Sequence, residues 1–254
     1  MFQPHSILWH YLWVAPNLLL GLLASILWKR GLHKELGSFF LYACFQVVEW
    51  AVLYPIDLVS WIRATYFWRV YWASSLLESV IVFVLISDVF AEVFGFYTAL
   101  ARVGKSLIRW AGVLLLLTAA AIGARAPIDD RIWLVSTSHI LQQTMYVVVS
   151  GLILLLFASA AYFRLMWNRR LFGIALGLGI SACVHLATWA VMANGVLLDK
   201  HHLLDLANMA TSHVVVLIWF YYLFVPHKAS AESVVLPENN LALWNRELER
   251  LLQL

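Results

Sequence analysis

Residues 171–193 read LFGIALGLGISACVHLATWAVMA and contain no Asp, Glu, Lys or Arg. A helix needs roughly 20 mostly apolar residues to cross the hydrocarbon of a bilayer, which is about 30 Å thick. This stretch is long enough to do so. Small or polar residues recur at every fourth position along it, at Gly173, Gly177, Ser181 and His185. The stretch therefore predicts a membrane-spanning helix with one face of small and polar side chains.

Six other stretches of the chain are similarly long and apolar. Together with residues 171–193 they predict seven membrane-spanning helices, at 8–28, 37–58, 68–90, 107–123, 132–163, 171–193 and 203–225. Hydrophobic residues make up 63% of the 254 residues and charged residues only 12%, more apolar surface than a soluble domain could withdraw from water. We therefore expect an all-α, polytopic membrane protein, with a seven-helix bundle in residues 1–225 and a tail in residues 226–254.

The orientation of the bundle follows from the Lys and Arg residues near the helix ends. Twelve of the seventeen lie on one side, which includes the basic pairs Lys29-Arg30 and Arg169-Arg170. Cationic loops usually stay in the cytoplasm, so the N-terminus is predicted outside and the C-terminus in the cytoplasm. The net charge of +3 then reflects loops that face anionic lipid, and no nucleic-acid partner is expected.

Five of the predicted helices carry an ionisable residue roughly 10–15 Å below their predicted outer end. Such groups are costly inside a membrane and usually face the interior of a bundle. With two amides on the same faces, they form a predicted ligand-binding set in the outer half: Glu49, Glu78, His139, Gln143, His185, Asn208 and His213. The alternative is that these side chains make separate structural hydrogen bonds between helices.

Three functions are compatible with this set. The leading hypothesis is a membrane binding or sensor-like protein whose site takes a small polar ligand or a cation. In a second, His139, His185 and His213 hold a transition metal, and a glutamate acts as general base in a hydrolase for a lipid-like substrate. In a third, two of these histidines ligate haem in a redox subunit. The sequence does not decide whether the protein is an enzyme.

Two further surfaces are predicted from spacing. Gly173, Gly177 and Ser181 predict close packing of the sixth helix inside the bundle, with a homodimer through the same residues as the alternative. Leu178 is expected to face lipid or to lie in a more loosely packed position. In the tail, residues 240–254 predict a short amphipathic helix with Leu241, Trp244, Leu248 and Leu251 on one face. That helix would dock on the protein itself or on a cytoplasmic partner protein, with anchoring in the lipid interface through Trp244 as a further alternative.

Residues 172–180, FGIALGLGI, and 216–224, VLIWFYYLF, resemble an uncharacterised family of bacterial seven-helix membrane proteins. The resemblance implies the bacterial cytoplasmic membrane and implies no activity. Seven helices with an external N-terminus also resemble the arrangement of rhodopsins and G-protein-coupled receptors. A covalent retinal needs a Lys in the seventh helix, but the nearest, Lys200, precedes that helix and His213 lies within it. Covalent retinal is therefore not expected.

Overall fold

The computed structural model describes residues 6–59, 64–95, 98–124, 130–163, 168–193 and 201–225. These residues form helices and contain no β-strand. The α-helices are α1 (Ile7–Lys29), α2 (Gly37–Leu58), α3 (Ala64–Phe94), α4 (Thr98–Ala124), α5 (Asp130–Phe163), α6 (Arg169–Ala193) and α7 (His201–Phe224), and a 3-10 turn at Leu32–Lys34 precedes α2. The predicted tail helix at residues 240–254 lies outside the described residues.

The predicted bounds agree closely with these helices, and those of α2 are identical. The main difference is at the start of α4, which begins at Thr98 although its apolar stretch begins only at residue 107. The added residues include Arg102 and Lys105, both exposed. Hydropathy finds the apolar part of a helix, whereas the backbone hydrogen bonds continue into its charged end.

Within the described residues, five helices are long and apolar enough to cross a membrane: α1, α2, residues Gln142–Tyr162 of α5, α6 and α7. The helices α3 and α4 are not among these five. The structure thus supports an integral membrane protein, while seven spans and their orientation remain predictions.

Six of the helices form a closed ring, in which α1, α2, α3, α5, α6 and α7 each pack against the next and α7 packs back against α1. The remaining helix, α4, packs on the outside of this ring against α3 and α5. We call the end of the bundle at which α1, α3, α5 and α7 begin the upper end, and the opposite end the lower end. The predicted orientation would place the upper end outside the cell.

The lower half of the ring is a closely packed apolar core. Its largest fully buried side chains are Leu23, Leu27, Phe39, Leu85, Ile86, Val89, Phe90, Leu156 and Ile174. Buried polar residues are found higher, at the middle or in the upper half: Ser75, Gln142, Ser150 and Thr188. The interior of the ring is therefore apolar in its lower half and more polar towards its upper end.

Basic residues hold the lower end together. The Arg169 guanidinium donates to the carbonyl oxygens of Tyr221 and Val225 where α7 ends, which supplies partners for carbonyls that have none within the helix. Arg170 forms an ion pair of 2.9 Å with Glu35. These arginines belong to the predicted cytoplasmic side, so the residues that bias the topology also join α6 to its neighbours.

Two glycines of α6, Gly173 and Gly177, face α7. A Cβ atom built on Gly173 would lie 2.2 Å from Cβ of Tyr222, and one on Gly177 would lie 2.3 Å from Nε1 of Trp219. No side chain fits in either place, so the two helices approach closely and this face of α6 is already occupied within the chain. Ser181 continues the same face and is half-buried.

The expectation that Leu178 faces lipid is wrong, since this residue is only 4% exposed. The opposite side of α6 is covered by α5, where a Cβ atom on Gly179 would lie 3.0 Å from Ile153. A helix packed between two neighbours buries two faces, so a residue beside the glycine face is buried as well.

Candidate ligand-binding site in the polar layer

Two glutamates meet across α2 and α3 in the upper half of the ring. The Ser74 hydroxyl of α3 donates to Glu49 of α2 at 2.5 Å, and the Gln46 amide of α2 donates to Glu78 of α3 at 2.6 Å. Each helix thus contributes one carboxyl and, one turn away, one neutral donor. Because α2 and α3 run antiparallel, the spacing of three residues on α2 and four on α3 brings both pairs into register.

Neither carboxyl has a cationic partner among the described residues. The described ion pair, Arg170 with Glu35, lies at the lower end. The helix α2 contains no Lys or Arg, and Arg69 of α3 is exposed at its upper end. Each glutamate therefore accepts a hydrogen bond from a neutral donor, and its oxygens can accept further hydrogen bonds.

Three tyrosines surround this pair of acids. Tyr42 of α2, Tyr71 of α3 and Tyr146 of α5 all lie close enough to Glu78 for its charge to act on their hydroxyls. Gln142 of α5 lies beside two of them, since it is close to Tyr71 and its amide lies 3.4 Å from the Tyr146 hydroxyl. The acids therefore lie beside phenol groups from three different helices.

The layer continues onto α6 and α7. The ring of His185 stacks on that of Tyr146, with the ring centroids 4.6 Å apart and the planes 2° from parallel. The Thr188 hydroxyl lies 2.8 Å from the carbonyl oxygen of His185 and 3.3 Å from the side-chain amide of Asn208. We use the term polar layer for these side chains on five helices: Tyr42, Gln46, Glu49, Tyr71, Ser74, Glu78, Gln142, Tyr146, His185, Thr188 and Asn208.

Two side chains at the centre of the layer, Glu78 and Tyr146, are half-buried. Part of each therefore remains accessible, although both lie among the helices of the ring.

Four of the seven predicted site residues belong to this layer: Glu49, Glu78, His185 and Asn208. His213 lies apart, between α7 and α1, with its ring centroid 5.7 Å from that of Tyr11 and its Nδ1 buried without a hydrogen-bond partner. The side chain of His139 lies outside the described residues, although its backbone belongs to α5.

Gln143 is a correction, because its side chain is exposed and the neighbouring Gln142 takes its place. Consecutive residues are rotated by about 100° around a helix. Gln143 and Gln142 precede Tyr146 by three and four residues, and both spacings predict a position on the same face as Tyr146. Packing against α3 decides between them.

The layer also contains residues that the spacing analysis did not single out. Tyr42 lies one turn before Gln46 on the same face of α2, so the periodicity carried this signal. Thr188 follows His185 by three residues and contacts Asn208, a pairing that only the approach of α6 and α7 brings about.

The described residues contain no group of three or more His, Cys, Asp or Glu side chains that could hold a metal ion. His185 contacts α5 and His213 contacts α1, so they lie against different neighbours. The proposed metal set also requires His139, whose side chain is not described, and this set stays a prediction.

The chain was also compared with known proteins. No family model, curated protein or solved structure matches it.

Proposed function

We propose that this protein is a membrane binding protein of the sensor type, whose polar layer takes a small cationic ligand. The observation that supports this is the pair Glu49 and Glu78, set among neutral donors and phenols without a Lys or Arg partner in the described residues. Carboxyl groups far from water need a counter-charge, either a proton or a bound cation. A ligand cation would supply it.

The neutral groups around the acids fit the same ligand. Gln46 and Ser74 each orient one carboxyl through a single hydrogen bond and leave its other lone pairs available. The phenol rings offer faces that attract a cation. A ligand held in this way would contact α2, α3 and α5 at once, so it would favour one packing of these helices over others, as a sensor requires.

The test uses the purified protein in detergent and measures its thermal unfolding. Chlorides of Na⁺, K⁺, NH₄⁺ and ethanolammonium are compared at constant ionic strength, with N-methylglucamine chloride as the bulky reference salt. We expect at least one of these cations to raise the unfolding temperature by several degrees, since a ligand at 100 times its Kd stabilises a folded protein by about 2.7 kcal/mol. The variant Glu78→Gln should lose this response.

The matched control is Glu92→Gln, which makes the same change at an exposed residue of the same helix. It should respond to cations as the unaltered protein does. If no cation in the panel shifts the unfolding temperature, or if Glu78→Gln responds like Glu92→Gln, the proposed function is wrong.

The same preparation distinguishes the hydrolase and redox hypotheses. Bound transition metal in stoichiometric amount would support the hydrolase hypothesis, and a haem absorption band would support the redox hypothesis. In either case the signal should be lost when His185 or His213 is replaced. Either result would replace the cation site as the functional centre.

A further inference from the structure

Two serine hydroxyls beside the polar layer have no hydrogen-bond partner. Ser75 of α3 is 3% exposed and Ser150 of α5 is 7% exposed, and Oγ of each is buried without a partner in the described structure. A buried hydroxyl without a hydrogen bond has lost its bonds to water without replacement, which destabilises the fold. Two such groups on neighbouring helices therefore call for an explanation.

Other serines in these helices avoid this cost. Ser79, Ser87 and Ser212 each donate to the carbonyl oxygen four residues earlier, at 2.9, 2.7 and 3.1 Å. This bond within the helix is the usual partner of a serine in an apolar environment. Ser75 and Ser150 are held in side-chain positions that do not make it, so their hydroxyls are directed at something else.

On α3, Tyr71, Ser75 and Glu78 share one face, at spacings of four and three residues, which puts Ser75 about 4.5 Å above Glu78. Tyr71 of α3 lies beside Gln142 of α5, and these two helices run in the same direction. Glu78 follows Tyr71 by seven residues and Ser150 follows Gln142 by eight, so Ser150 lies about 1.5 Å below Glu78. The two hydroxyls therefore lie on either side of Glu78 in height.

The groups that lack partners are therefore of two kinds: carboxyls without a cation and hydroxyls without a hydrogen bond. They are also spread in height. Glu49 is paired with Ser74, one turn or about 6 Å above Glu78. A bare metal ion coordinates oxygens only within about 2.0–2.6 Å, so it would leave some of these groups unused. An extended ligand would reach both kinds.

We propose that the ligand is a small organic ammonium ion that carries a hydroxyl group, with its N–H groups on Glu49 and Glu78 and its hydroxyl on Ser75 and Ser150. This inference rests on the proposed function and specifies its ligand class. The tyrosines would contact the methylene groups next to the charge, where much of the positive charge of an ammonium ion lies.

The experiment compares ethanolamine with n-propylamine, which have the same charge and nearly the same size but differ in the hydroxyl group. Their half-maximal concentrations for thermal stabilisation are measured in detergent at a pH where both amines are cations. We expect the value for ethanolamine to be about tenfold lower, the effect of one or two additional hydrogen bonds. In the double variant Ser75→Ala/Ser150→Ala this difference should disappear.

Folding of the double variant is itself informative. Because each change removes an unsatisfied buried hydroxyl, the variant should be at least as stable as the unaltered protein when no ligand is present. The control is Ser79→Ala, which removes a hydroxyl already bonded within α3 and should keep the tenfold preference.

Equal action of the two amines on the unaltered protein, or a preference that survives in the double variant, would overturn this inference. If K⁺ stabilises the protein through Glu78 and neither amine does so, the proposed cation site stands and the organic ligand is wrong. If no cation acts through Glu78, both proposals are wrong.

Discussion

At the scale of single residues, the orientation of a carboxyl inside a membrane protein depends on the few groups that can hydrogen-bond to it. Glu78 receives one described hydrogen bond, from Gln46 across the contact between α2 and α3. Gln46 also lies close to Tyr42, which is one turn earlier on α2, so one amide lies beside both an acid and a phenol. Replacing Gln46 would therefore remove an amide from beside both the Glu78 carboxyl and the Tyr42 hydroxyl.

We therefore expect Gln46→Met to destabilise the protein by about 1–3 kcal/mol, the usual cost of a buried polar group that has lost its partner. Methionine keeps the length of the side chain, so the change removes mainly the hydrogen bond. Gln143→Met provides the control, since Gln143 is exposed and should change stability by less than about 0.5 kcal/mol. Thermal or denaturant unfolding in detergent measures both, and equal effects would contradict the role given to Gln46.

At the scale of helices, the closest approach is between α6 and α7. In lipid, helices gain little from hiding apolar surface, so contact depends on how closely their backbones approach. Gly173 and Gly177 permit this approach to Tyr222 and Trp219. The same packing brings Thr188 to Asn208 further up the pair. The glycines near the lower end thus help to position the upper part of α7 at the polar layer.

Gly177→Leu should therefore lower the unfolding temperature strongly or prevent isolation of a folded protein, because the new side chain would collide with Trp219. The matched change is Gly151→Leu on α5, where a Cβ atom meets nothing within 4 Å and the residue is exposed. This second variant should unfold close to the temperature of the unaltered protein. Similar losses in both would show that the α6–α7 contact does not limit stability.

At the scale of the whole molecule, the bundle is apolar and closely packed below and polar above. The ring of six helices encloses both parts, and α4 lies outside it. If the basic loops are cytoplasmic, the polar layer lies in the outer half and a ligand would arrive from outside the cell. The orientation therefore decides from which side the proposed ligand would enter.

A protease-cleavable tag at the C-terminus tests this orientation. The bias of twelve cationic residues against five predicts that the tag is cleaved in inverted vesicles or lysed cells and is protected in intact cells. A tag at the N-terminus serves as the reciprocal control, since it should be cleaved in intact cells. Cleavage of the C-terminal tag from outside would invert the topology and direct the polar layer to the cytoplasm.

The positions of the helices could be predicted from the sequence, because membrane solvent imposes a length and a composition on each one. The bounds of α2 were predicted to the residue, and depth and spacing alone placed Glu49, Glu78, His185 and Asn208 in one layer of the bundle. Depth and spacing are properties of a single helix. They do not depend on which helices are neighbours.

Which groups meet was decided only by the tertiary structure. The choice of Gln142 over Gln143, the burial of Leu178 and the separation of His213 from His185 all depend on which helices pack together and how each is rotated. Spacing along one helix predicts the direction of a side chain around the helix axis only to within about 100°. It does not show which neighbouring helix that side chain contacts. The unpartnered hydroxyls of Ser75 and Ser150 are likewise visible only in the folded bundle, because in sequence they are serines like any other.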